Sequence, residues 1–98
     1  MTEVRLTGQL VCSDAAEQAL VVKFLPEHIA LTRAEPGCLH FEVTRIGDSR
    51  TWRVEERFTD ASAFTAHQAR VATSEWGRAT QAITRDYTVE GLSPQQAN

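Results

Sequence analysis

The sequence has little of what marks the specialised protein classes. Its 98 residues include two cysteines, Cys12 and Cys38. That is too few for a disulfide framework, and a structural zinc site needs a full set of closely spaced ligands. No metal is expected. Long apolar runs are missing too. The longest is Ala19 to Val22, against the roughly 20 residues a bilayer-spanning helix needs, so no membrane partner is expected. Lysine is reduced to Lys23, and the nine arginines are spread from Arg5 to Arg85 without a cluster. With Lys+Arg 10 against Asp+Glu 13, the net charge is −3. Phosphate binding draws on a basic excess on one face, and its lack argues against nucleic acid. The opening Met1-Thr2-Glu3-Val4-Arg5 lacks the shape of a signal peptide. The expectation is a small soluble cytoplasmic protein with reduced thiols.

What is present is a core and a clear alternation. Hydrophobic residues make up 42% of the chain, enough for one domain at this length, although so thin a core gains from burial by a partner chain. The domain is expected over residues 1–92, with a frayed tail over 93–98. From Val4 to Cys12, the residues Val4, Leu6, Leu10 and Cys12 share one face and Arg5, Thr7 and Gln9 the other. That is the period of a half-buried strand. Gly8 leaves a gap on the inner face where something else can approach. Ser13-Asp14 offers a helix cap. Leu20, Val21, Phe24, Leu25, His28 and Leu31 then recur at helical spacing up to about Ala34. Pro26 is expected to bend or break this helix, and Glu35-Pro36-Gly37 ends it.

A second strand, from Cys38 to Ile46, is expected to send Leu39, Phe41 and Val43 inward and His40, Glu42 and Thr44 outward. After a turn at Gly47 to Arg50, a third strand from Thr51 to Phe58 turns Trp52, Val54 and Phe58 inward. Glu56 is an anomaly there, a carboxylate on the apolar face. Thr59-Asp60 caps a second helix carrying Phe64, His67, Gln68 and Val71. A break near Thr73-Ser74 precedes a further helical stretch, expected from Glu75 to Ile83. Arg85, Tyr87 and Val89 finally alternate with Thr84, Asp86 and Thr88 in a last strand.

The order β-α-β-β-α-β, with right-handed crossovers and a central hairpin, predicts an α+β fold of ferredoxin-like type. Its four-stranded antiparallel sheet carries both helices on one face. The open face is expected to combine Arg53, Arg57 and Arg85 with Glu42, Glu55 and Asp86, mixed with Thr7, Gln9 and Thr44. Such a face either meets water or meets the same face of a second copy. Cys12 and Cys38 fall at opposite ends of this sheet, which argues against a bond between them. Cys38, after a tight turn, is expected to be buried and inert.

The stretch Thr32-Arg33-Ala34-Glu35-Pro36-Gly37-Cys38-Leu39-His40-Phe41 resembles the antibiotic biosynthesis monooxygenase family, in which a long helix ends in Glu-Pro-Gly-Cys-Leu-x-aromatic. The run from Val54 to His67 looks like that family's second landmark: a Glu-x-aromatic strand end, a short turn, and Ala-Phe-x-x-His opening a helix. Leu25-Pro26-Glu27-His28 is a weaker echo. The resemblance extends from about Val4 to Gly91. It implies a dimeric α+β barrel, a homodimer joined through the open sheet face. It also implies a cofactor-independent oxygenase that uses O2 on a small aromatic quinol or phenol held between sheet and helices. Heme-degrading members of the family carry an axial histidine beyond the Ala-Phe-x-x-His position. Here that region reads Trp76-Gly77-Arg78, so heme is not expected, and the expected cofactor is none.

His67 is the candidate base, because an imidazole titrates near neutral pH and abstracting a phenolic proton needs such a group. Its other reading is a packed helix residue hydrogen-bonded to Glu56. Glu56 itself is read as a structural partner or a substrate contact, since a buried carboxylate must be paired. His28 shares the stripe of Phe24 and Leu31, and either enters the same cavity or is a satisfied interior residue. Arg78, if it points inward, would hold a phenolate or a developing oxyanion; otherwise it belongs to a solvated face. Phe41, Trp52, Phe58, Phe64 and Trp76 are core aromatics against which a flat ligand would stack. Two functions follow from different classes. One is the monooxygenase; the other is a catalytically silent dimeric barrel that binds a small hydrophobic molecule.

Overall fold

Alternation decides the sheet. The computed structural model describes residues 2–92, and the expected tail at 93–98 lies outside them. The elements run β1 (Val4–Val11), α1 (Ala15–Arg33), β2 (Cys38–Arg45), β3 (Thr51–Phe58), α2 (Ala61–Ala72), α3 (Glu75–Ala79) and β4 (Thr84–Glu90). The strands form one sheet in the order β2-β3-β1-β4, and every neighbouring pair is antiparallel. This is the expected ferredoxin-like arrangement. Val4, Leu6 and Leu10 of β1 join Phe41, Val43, Trp52, Val54 and Phe58 on the buried face. Val21 and Leu25 of α1, Phe64 of α2, Trp76 of α3 and Ile83 close over them.

Each helix starts at a residue suited to it. Asp14 accepts a hydrogen bond from the Glu17 backbone N–H, Asp60 from that of Ala63, and Ser74 from that of Gly77, satisfying donors that a helix N-terminus leaves orphaned. Gly8 is required for another reason. A Cβ there would run into the backbone of Asp86 and Tyr87, so the gap on β1 is filled by β4 itself and not by a ligand.

Five local expectations need correction. Pro26 does not interrupt α1, which is continuous over Ala15–Arg33. Pro26 and Val22 both lie on the exposed side, where water can serve the carbonyl that the proline leaves without a donor. Leu39 is 49% exposed instead of inward, because the register shifts between Cys38 and His40 and the extra residue falls out of phase. The third helix stops at Ala79, and Thr80 caps it by donating to the Trp76 carbonyl; Ile83 is core residue outside the helix. Arg85 is not on the open face. It stands opposite Leu10 in the β1–β4 register and turns toward the helices. Cys12 and Cys38 are free thiols, and burial raises the pKa of both, though Cys38 is only partly buried. Among the described residues, no helix is long and apolar enough to cross a membrane.

Candidate active site

Between the helix-bearing face of the sheet and the helices lies a cavity of about 350 Å³. Its ionisable groups come from four elements: His28 from α1, Glu56 from β3, His67 from α2, and Arg85 with Tyr87 from β4; Gln68 and Gln81 also line it. Phe41, Trp76 and aliphatic side chains such as Val43 and Val54 form the apolar walls. Of the residues expected from sequence, His28, Phe41, Glu56, His67 and Trp76 therefore meet around one space.

The others do not line it. Trp52 is buried and donates its indole N–H to Gln18 Oε1 at 2.8 Å. Phe58 and Phe64 form a layer behind the site, with Phe58 against the His67 ring at 4.8 Å between centroids and against Phe64 at 5.8 Å. Arg78 is exposed and donates to the Thr73 carbonyl, which places its charge away from the cavity. Arg85 occupies the role of inward arginine. It is braced by hydrogen bonds to the Thr80 carbonyl, Thr80 Oγ1 and the Ile83 carbonyl.

His67 is 2% exposed, and its bonding differs from the expected pairing with Glu56. Nδ1 lies 2.8 Å from Glu35 Oε1, whereas Nε2 is 3.7 Å from Glu56 Oε1, beyond hydrogen-bond length. Glu35 sits in the turn after α1. Its second oxygen accepts from Arg70 Nε at 2.6 Å, and Arg70 also donates to Thr32 Oγ1 at 3.0 Å. A carboxylate can only accept, so Nδ1 carries the proton, and in the neutral ring Nε2 is the free acceptor on the side of Glu56. Burial holds the His67 pKa below the usual imidazole value. The hydrogen bond and charge of Glu35 work against that shift, and Arg70 reinforces it. The ring is neutral at pH 7.

His28 is stacked on Trp76, with centroids 4.7 Å apart and planes within 5°. Burial, then the nearby His67, Arg70 and Arg85, push its pKa down to about 3, so it too is uncharged. Its Nδ1 and Glu56 Oε1 are buried without a hydrogen-bond partner among the described residues. Glu56 is driven the other way. Burial first, then Glu35, push its pKa up to about 7, with Arg85 opposing. Burial raises Tyr87 to about 12, which keeps it a neutral phenol. Among the described residues, no three His, Cys, Asp or Glu side chains are grouped as a metal would require. The site is thus a pocket holding a neutral base and a carboxyl balanced between its two protonation states. It is suited to taking a proton from a weak acid.

In the sequence Glu35 belongs to a turn and to the Glu-Pro-Gly-Cys-Leu landmark without a role at the site, and Arg85 is expected on the wrong face. The alternation contained the second signal, since Arg85 is in phase with Tyr87 and Val89. Glu35's partner is thirty-two positions away, and no local pattern carries that.

A family model described as antibiotic biosynthesis monooxygenase matches residues 9–79. No curated protein is similar enough to match. Among solved structures, SnoaB, a cofactor-independent oxygenase from Streptomyces nogalater, aligns with a TM-score of 0.75 at 18% identity over 95% of each chain. MupZ from Pseudomonas fluorescens aligns at 0.73 and 18% identity, covering 98% of this chain and 71% of that one. PA3566 from Pseudomonas aeruginosa aligns at 0.70 and 24% identity, covering 94% and 93%. At identities this low, the likeness to solved structures is one of fold.

Proposed function

The chain belongs to the antibiotic biosynthesis monooxygenase family, and from that premise we propose that it oxidises a small aromatic phenol or quinol to a quinone with O2, without a cofactor. Family membership supports a monooxygenase-like role. The observation that carries the finer reading is the Glu35–His67 hydrogen bond, which leaves a neutral Nε2 beside the cavity. The substrate ring occupies the cavity walled by Phe41 and Trp76, and its hydroxyl proton passes to His67 Nε2. The imidazolium so formed is stabilised by the Glu35 carboxylate.

The phenolate then gives one electron to O2. Superoxide and the phenoxyl radical combine at a ring carbon bearing hydrogen, and the peroxide takes back the proton held by His67. That carbon loses its hydrogen as a proton while the O–O bond breaks, hydroxide leaves, and proton and hydroxide depart as water. The protein's part is deprotonation in a cavity with apolar walls, with the Arg85 guanidinium offsetting the anionic charge. In the assembled form we propose, two copies meet across the open sheet face, where Arg57 pairs with Glu3 and Arg53 with Glu55.

Oxygen uptake by the purified protein with a panel of quinols and naphthols tests the reaction. One O2 consumed per quinone formed is expected. Tight binding of these compounds without uptake would instead favour the silent ligand-binding barrel.

A further inference from the structure

Glu56 stands out from the rest of the cavity. It is 6% exposed, it comes from the apolar face of β3, and its Oε1 lacks a hydrogen-bond partner among the described residues. An ionised carboxylate left this way would be strongly disfavoured. The atom nearest in function is His67 Nε2, 3.7 Å away. That separation is too long for a direct bond, yet one oxygen atom can lie about 2.8 Å from both. The pair outlines a socket for a single oxygen.

We propose that Glu56 binds the substrate as a neutral carboxylic acid, donating a hydrogen bond to the same phenolic oxygen from which His67 takes the proton. This deepens the proposed reaction and rests on it. The hydroxyl O–H bond breaks, its proton bonds to His67 Nε2, and the electron pair stays on oxygen. Glu56 keeps its own proton throughout and stabilises the new phenolate through a charge-assisted hydrogen bond. Base and acid thus act on one atom from two sides. The groups around Glu56 agree with this. His67 on α2 and His28 on α1 are both neutral, and Tyr87 on β4 is an un-ionised phenol. Glu35, in the turn after α1, disfavours a second negative charge nearby. Arg85 on β4 is the single opposing influence, and it leaves the Glu56 pKa at about 7.

The test is the binding of pentafluorophenol, which is already ionised across the neutral range, followed by calorimetry from pH 6 to 9. In the wild-type protein, affinity is expected to fall about tenfold per pH unit above about pH 7, as Glu56 loses the proton the phenolate needs. In Glu56→Gln the amide still donates at every pH, so the profile should be flat. A flat wild-type profile overturns the proposal. So does an undiminished fall in Glu56→Gln, which would assign the proton to His67. If that variant does not fold, His67→Gln decides: the fall must persist there, and its loss overturns the role of Glu56. Pentafluorophenol that binds at no pH overturns both this proposal and the reading of the cavity as a phenol site. Binding together with oxygen uptake, but with no dependence on Glu56, overturns the role of Glu56 alone.

Discussion

His67 and Glu35 divide the work of one imidazole between its two nitrogens. Nδ1 is committed to a carboxylate that is itself held by Arg70, and Nε2 is left to act. Replacing His67 with Ala should lower the oxidation rate by about 10²–10⁴, the range for a lost general base. Rate and melting temperature measured together separate this from a packing defect, in which activity would fall only as folded protein is lost. Activity should rise with pH through the His67 pKa, because only the neutral ring accepts a proton. Since burial holds that value below the usual one, the rise should be complete by neutral pH. Glu35 raises the His67 pKa, so Glu35→Gln should move the acid limb of the profile to lower pH while lowering the rate. An acid limb that stays in place would mean that Glu35 is not felt at Nε2.

Among the elements, α1 shows how a strong local rule yields to its surroundings. A proline in a helix interior costs about 3 kcal/mol relative to alanine, yet α1 runs unbroken past Pro26, held by Val21, Leu25, His28 and Thr32 buried on its inner side. Pro26→Ala should therefore stabilise the protein, by about 1–3 kcal/mol, read as a higher urea midpoint with an unchanged slope. The strands were legible because period-two alternation is a local signal. It placed Val4, Leu6, Leu10, Val54 and Phe58 correctly and exposed Glu56 as a carboxylate on the wrong face for water. It misplaced Leu39, because a one-residue register shift leaves no trace in composition. Arg85 was assigned by its charge to the open face although its phase put it with Tyr87. The hydrogen bonds to Thr80 and Ile83 that make an inward arginine tolerable depend on where α3 ends. At the site, five residues were legible from motif and stripe, whereas the Glu35–His67 contact joins a turn to a helix distant in sequence.

For the whole molecule, buried titrating groups set the response of stability to pH. The folded-state pKa of His28 is about 3, below the ordinary imidazole value of 6.5. As pH falls, the unfolded chain binds that proton first, so the His28 contribution is complete above pH 6.5 and is lost on the way down to about 3. His67 acts in the same direction. Glu56 does the opposite. Its folded value of about 7 lies above 4.5, so it favours the folded state below 4.5 and that contribution is lost as pH rises toward 7. His28 and Glu56 largely cancel between 4.5 and 6.5, and the steep loss should come below 4.5. In Glu56→Gln, urea midpoints should begin to fall already below about pH 6.5; midpoints with the same pH dependence as wild type would contradict this account. At the same scale, light scattering at micromolar concentration should give twice the chain mass if the open face joins two copies, and a monomer there would count against that assembly.

The turn that carries Glu35 is built to a close clearance. Gly37 lies against the first turn of α2 so tightly that a Cβ would collide with Ala63 and crowd Thr59 Oγ1, while its carbonyl accepts from the Thr59 backbone N–H at 2.9 Å. That contact sets how far the turn stands from α2, and so how far the carboxylate two residues earlier stands from the imidazole it grips. The missing methyl of Gly37 acts as a spacer gauge. Side chains of no chemical consequence at this junction therefore hold the tolerance on a bond that has one, and a single added carbon there would detune the base without touching the cavity.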